Sequence, residues 1–143
     1  MSLPAIVQDD AVIGLVRKRL LEVAEIQALV GGRIVGGLGE HADYGTLPKP
    51  AISILLASDR RHYTGVMARY TVELFALSNV SQAEARTIYG TLAAALQAEG
   101  LASEADATRG LMTEQGGRRE NWWETSQSWY CTGVWSLSVV RDR

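Results

Sequence analysis

Residues 66–100 read VMARYTVELFALSNVSQAEARTIYGTLAAALQAEG, and this stretch decides the fold. From Val66 to Leu77 the side chains alternate. Val66, Ala68, Tyr70, Val72, Leu74 and Ala76 share one side, and Arg69, Thr71 and Glu73 take the other. Successive residues of a strand point to opposite faces, so this pattern predicts an antiparallel strand covered on one face only. Ser81-Gln82-Ala83-Glu84 then reads as a capping box. In such a box the serine hydroxyl and the glutamate carboxylate reciprocally satisfy two backbone donors. The helix it opens places Ala85, Ile88, Leu92 and Leu96 on one side and ends at Gly100.

Upstream, Val12, Ile13, Val16, Leu20, Val23 and Leu29 recur at helical spacing, with Asp9 or Asp10 as cap and Gly31-Gly32 as stop. The pattern accommodates one helix or two joined near Glu22. Arg33–Gly37 is expected as a short strand and Leu38–Pro50 as a long loop. Ala51–Ser58 is apolar on both alternations and reads as a central strand. Asp59–Gly65 follows as a charged turn.

Downstream, Ala102–Gly110 is polar and expected as loop. Leu111–Gln115 and Arg119–Ser126 are expected strands on either side of a Gly116-Gly117 turn. Trp129–Val140 closes the chain with Cys131, Gly133, Trp135, Leu137 and Val139 on one face and Thr132, Ser136 and Ser138 on the other. These elements predict a single α+β domain over residues 1–143, with loose ends at 1–8 and 141–143. Its architecture is expected to be a two-layer sandwich, with two main helices on one face of a mostly antiparallel sheet of four to six strands.

A chain of 143 residues suits one domain, and 47% hydrophobic with 21% charged residues is an ordinary globular balance. A net charge of −2 argues against duplex DNA binding through phosphates. No apolar run approaches the roughly 18 residues of a membrane span, and the N-terminus lacks the pattern of a secretory signal. The single cysteine, Cys131, has no internal disulfide partner and is expected as a small buried hydrophobe.

Chemistry-bearing constellations are missing from the pattern. His41 and His62 fall in expected loops, away from any serine or cysteine nucleophile that could be placed beside them. One cysteine and two separated histidines do not make a zinc set. The glycines at 31–32 and 36–39 follow a helix, which is the wrong context for a dinucleotide or Walker loop. The sequence therefore predicts no catalytic residues, no metal ligands and no cofactor.

Two features stand apart. All four tryptophans, Trp122, Trp123, Trp129 and Trp135, fall within one short segment. Neighbours in a strand point oppositely, so Trp122 and Trp123 cannot enter the same core. One reading makes this an interface, since aromatics supply contact area at low entropic cost; the other makes it a cross-strand pair bracing a hairpin. The basic clusters Arg60-Arg61-His62 and Arg118-Arg119 likewise read either as solvated turns or as a charged rim for a partner. With Tyr44 of the long loop and Tyr63, these residues form the candidate contact set: Tyr44, Arg60, Arg61, His62, Tyr63, Arg118, Arg119, Trp122 and Trp123.

The order of elements resembles a known family. Leu29-Val30-Gly31-Gly32-Arg33-Ile34 ends the leading helix, and Leu47-Pro48-Lys49-Pro50-Ala51-Ile52-Ser53-Ile54 enters a strand. Tyr70–Ser78 precedes the capped, alanine-rich helix, and Tyr130–Val139 closes the chain. From about Asp10 to Val140 this is similar to the tail-completion or tail-terminator proteins of long-tailed bacteriophages and prophages. The resemblance implies a structural, non-enzymatic virion protein at the head–tail junction, made in the bacterial host cytoplasm. It implies a homo-oligomeric ring, a hexamer, that caps the head-proximal end of the tail tube, stops polymerisation and docks to the head-completion or neck protein. DNA would pass through without sequence readout, with no membrane involved. Two other readings stand beside it: a neck or minor tail protein of the same particle, and a small ligand-binding or adaptor domain whose tryptophans line a pocket.

Overall fold

The leading apolar stripe folds as two helices, α1 (Asp9–Leu21) and α2 (Ala24–Val30). The chain continues through β1 (Ile34–Gly37), β2 (Ala51–Ser58), β3 (Met67–Ser78), α3 (Gln82–Ala98), β4 (Leu101–Ser103), β5 (Thr108–Glu114), β6 (Arg119–Trp123) and β7 (Ser128–Arg141). A computed structural model describes residues 9–37, 48–58, 67–98, 100–103, 108–124 and 126–141. The break between α1 and α2 falls at Glu22–Val23, where the N–H groups of Glu22 and Val23 bond the last carbonyls of α1. Gln27 Nε2 donates to the Leu21 carbonyl at 3.1 Å, closing the helix end across the break. Gly31, at φ 61°, ends α2 in the left-handed region.

The sheet has order β1-β2-β3-β7-β5-β4, with β6 also paired to β7. Among the described strands only β1–β2 is parallel; the other pairings are antiparallel. The α+β class is as expected: among the described residues α1 and α3 are the two main helices, with the short α2 split from the first stripe, and the sheet has seven strands, one more than the expected four to six. The extra strand, β4, arises where the side-chain pattern is weakest. β4 and the start of β5 lie in the stretch expected as polar loop, held by the pairing Leu101↔Gly110 through Ser103↔Thr108. A three-residue strand is too short for periodicity to reveal.

The buried faces meet in one apolar cluster. Tyr70, Val72, Leu74 and Ala76 of β3 and Cys131, Trp135, Leu137 and Val139 of β7 join Val12, Val16 and Leu20 of α1 and Ile88, Leu92 and Leu96 of α3. The β3–β7 register sets Arg69 opposite Ser138 and Thr71 opposite Ser136, so both polar sets share the sheet's other face as expected. That face is not polar throughout. Phe75 lies on it, and Thr132, one of its polar set, is buried opposite Phe75 with its hydroxyl 2.7 Å from the Leu74 carbonyl.

The capping box forms by half. Ser81 Oγ accepts the Glu84 N–H at 3.0 Å, but the Glu84 carboxylate accepts from Ser78 Oγ at 2.6 Å instead of reaching back to Ser81. Ser78 Oγ in turn accepts the N–H groups of Val80 and Ser81 at 3.0 and 3.2 Å. A buried serine at the end of β3 thus joins strand and helix through one hydroxyl. Gly36 has a packing reason: a Cβ there would stand 2.1 Å from Ile13 Cγ2 on α1.

Candidate functional site

β5 and β6 lie end to end along the same edge of β7. β5 pairs with the stretch from Trp135 to Arg141, and β6 pairs with Ser128 to Thr132. Gln115 N–H still reaches the Val134 carbonyl at 2.8 Å, and then Gly116 and Gly117, at φ 86° and 70°, take the chain out of register. Left-handed backbone at two successive positions favours glycine, so the Gly-Gly turn read from the sequence is the bulge between two half-strands.

A hydrogen-bonded cluster pins this bulge to α3. Arg118 bonds Glu114 through Nε and Nη2 at 2.8 and 2.9 Å, a bidentate pair. Tyr89 of α3 donates its hydroxyl proton to Glu114 Oε2 at 2.7 Å and accepts Trp135 Nε1–H at 3.0 Å. The Arg118 guanidinium also lies 4.9 Å from the Tyr89 ring centroid. Arg118 holds the Glu114 carboxyl below its ordinary pKa, and burial together with the Glu114 carboxylate pushes the Tyr89 phenol well above its own. The phenol fits only because residue 133 is glycine: a Cβ at Gly133 would meet its oxygen at 1.9 Å and Cζ at 2.8 Å.

β6 carries opposite chemistry on its two faces. On the helix side, Glu120 receives Arg86 at 2.5 and 3.0 Å and Gln82 at 2.9 Å. On the other side, Arg119 Nη2 lies 2.9 Å from Glu73 Oε2. The tryptophans divide as strand geometry requires. Trp122 meets Trp129 edge to face at 4.8 Å on the helix side, and Trp123 stacks on Phe75 at 5.8 Å with Tyr130 tilted beside both. The cross-strand pair foreseen for the hairpin is therefore Trp122–Trp129, and Trp123 belongs to an aromatic trio that also uses Phe75 and Tyr130. Trp122 Nε1 donates to Glu124 Oε2 at 2.8 Å, and the Trp122 backbone N–H is accepted by Asn121 Oδ1 at 2.7 Å.

Of the contact residues expected from sequence, Arg118, Arg119, Trp122 and Trp123 come together on this arm. Arg118, Arg119 and Trp123 spend their side chains on partners within the chain, and Trp122 remains 37% exposed. Tyr44, Arg60, Arg61, His62 and Tyr63 lie outside the described residues, as does His41. Tyr89, Glu114, Phe75 and Tyr130 were not anticipated; each reads locally as an ordinary core or strand residue, and only the pairing across β7 unites them. Cys131 is buried, and burial raises its thiol pKa. An open cleft of about 540 Å³ between the α1–α2 pair and α3 is lined by Arg19, Val23, Glu25, Thr87 and Thr91 among others, with no tryptophan at its wall. Among the described residues no group of His, Cys, Asp or Glu is arranged to hold a metal ion, and no helix is long and apolar enough to cross a membrane.

The sequence profile of the tail completion protein gp17 family matches residues 14–121. The chain belongs to this family. Its fold is similar to a chain in the virion of a native gene transfer agent particle, at TM-score 0.67 and 17% identity over 90% of this chain and 93% of that one. It is also similar to the gp17 protein of bacteriophage SPP1, at TM-score 0.53 and 15% identity over 94% of this chain and 91% of that one. No curated protein sequence matches significantly. Membership in a tail completion family assigns a structural role in completing phage tails, in keeping with the family resemblance read from the residues.

Proposed function

We propose that this tail completion protein is a tail terminator. It forms a closed ring, a hexamer, at the head-proximal end of the tail tube. There it stops tube polymerisation and presents a docking surface to the head-completion or neck protein at the head–tail junction. Its work is positional and non-catalytic, and DNA passes through the ring without sequence readout. The observation that carries this reading is the family match over residues 14–121. Further support comes from the fold shared with a chain of an assembled virion. The face of β3 and β7 that clusters with α1 and α3 is apolar and the other carries Arg69, Thr71 and Ser138, which supports a subunit with two unlike sides, as head-to-tail closure requires.

The test is native mass spectrometry with negative-stain imaging of the same sample, followed by incubation with purified tail tubes. A six-fold ring that binds tube ends and halts their elongation is the expected result. A chain that stays monomeric across a wide concentration range and fails to bind tubes overturns the proposal.

A further inference from the structure

Three large hydrophobic side chains are left exposed among the described residues: Val80 at 71%, Leu111 at 58% and Trp122 at 37%. They form two unlike patches. Trp122 and Trp129 are cross-strand partners, and Trp129 is also opposite Ser78, whose hydroxyl accepts the Val80 N–H. Val80 and Trp122 therefore rim the end of the sheet where α3 begins, on the helix side. Glu124 stands on this rim. Among the described residues its carboxylate is bonded by the neutral donors of Trp122 and Gln127 and by no cation, whereas Glu120 nearby is paired with Arg86.

Leu111 lies on the opposite face and at the far end. It pairs with Ser138 of β7, and Ser138 pairs on its other edge with Arg69. Arg69 is exposed, and no ion pair or hydrogen bond holds its side chain among the described residues. From Trp129 to Ser138 the two patches are separated by roughly 30 Å along β7, at about 3.3 Å per residue. One patch is apolar and acidic; the other is apolar and basic.

We infer that these patches meet between neighbouring copies of this chain, with Trp122 and Val80 of one subunit on Leu111 of the next and Glu124 paired to Arg69 across the contact. This inference rests on the ring reading above and names its interface. The two patches are different, complementary in charge, and at opposite ends of the subunit, which is the arrangement a head-to-tail ring needs and a two-fold dimer does not.

The experiment uses full-length Glu124→Arg and Arg69→Glu, singly, combined in one chain, and as an equal mixture of the two single variants. Arg69 is exposed and makes no described bond, so Arg69→Glu is expected to melt as the wild-type chain does, whereas Glu124→Arg gives up the exposed bonds from Trp122 and Gln127 and is expected to melt slightly lower while remaining folded. Each single reversal should raise the concentration for half-assembly at least about tenfold, because like charges then meet at the contact. The double variant and the mixture should both recover assembly, the mixture because alternating subunits again oppose unlike charges. Rings that persist in the single variants overturn the inference and leave the terminator reading intact. So does a failure of the double variant and the mixture to recover. Single variants that form rings but lose tube binding overturn it too, and assign the patch to the tube. A wild-type chain that is monomeric both free and on tubes overturns both the interface and the ring.

Discussion

Gly133 and Tyr89 share one space: a Cβ on the glycine would stand 1.9 Å from the tyrosine hydroxyl oxygen. The fit lets a helix side chain reach through to Glu114 and Trp135. Gly133→Ala is expected to destabilise the domain by about 3 kcal/mol, since the core must shift to admit a methyl group. Tyr89→Phe removes the nearest clash but leaves the Trp135 N–H without its acceptor, costing about 2 kcal/mol by itself. Combined, the two should cost less than their sum, which urea unfolding of the four proteins would measure.

Acid should loosen the same cluster. Arg118 and the Tyr89 hydroxyl hold the Glu114 carboxyl below its ordinary value of 4.5. A carboxyl with a depressed folded pKa contributes stability above the unfolded value, and that contribution is lost as pH falls through the folded value. Wild-type stability should therefore drop below about pH 4.5, and Glu114→Gln, weaker at neutral pH, should lose less on acidification. Melting temperatures between pH 7 and pH 3 decide the matter.

The strand-to-helix corner offers a third test. Ser78 Oγ serves the N–H groups of Val80 and Ser81 and donates to Glu84, whereas Ser81 Oγ serves Glu84 N–H alone among the described hydrogen bonds. Ser78→Ala is expected to cost about 2 kcal/mol and Ser81→Ala about 1 kcal/mol, the reverse of the ranking a reciprocal capping box would give. Chemical denaturation gives both values.

Trp122 and Trp123 should separate two properties. Trp123 stacks on Phe75 and is half-buried, so Trp123→Ala is expected to cost about 2 kcal/mol of folding stability. Trp122 is the more exposed, and Trp122→Ala should cost about 1 kcal/mol through the lost pair with Trp129 while impairing assembly more strongly. Denaturant midpoints and native mass, measured on both variants, supply the comparison.

The strongly periodic parts of the chain were legible from sequence. The β3 alternation, the α3 stripe and the closing strand each bury one face, and burial on one face is what periodicity records. The split of Trp122 and Trp123 to opposite faces follows from strand geometry alone. What escaped the reading was long-range. Nothing local ties Tyr89 to Glu114 or Phe75 to Trp123, because those contacts exist only once β7 has gathered β3 on one edge and β5 with β6 on the other. Ser78 escaped for a subtler reason: the reciprocal box at Ser81–Glu84 was a complete local answer, and a serine three residues earlier competed for the same carboxylate. The tryptophans cluster in sequence as a pocket lining would, yet Trp122 and Trp129 brace a hairpin, Trp123 stacks on the sheet face and Trp135 is buried in the core against Tyr89.

Asn121 folds its side-chain oxygen onto the N–H of Trp122, on a strand whose only described neighbour is β7. An outlying strand is an invitation to add another, and repeated additions grow a fibre. With that donor already occupied, β6 offers a passing strand one fewer backbone bond, and contacts there must be made through side chains of particular shape and charge. A strand edge blunted in this way favours contacts of defined geometry over indiscriminate backbone pairing.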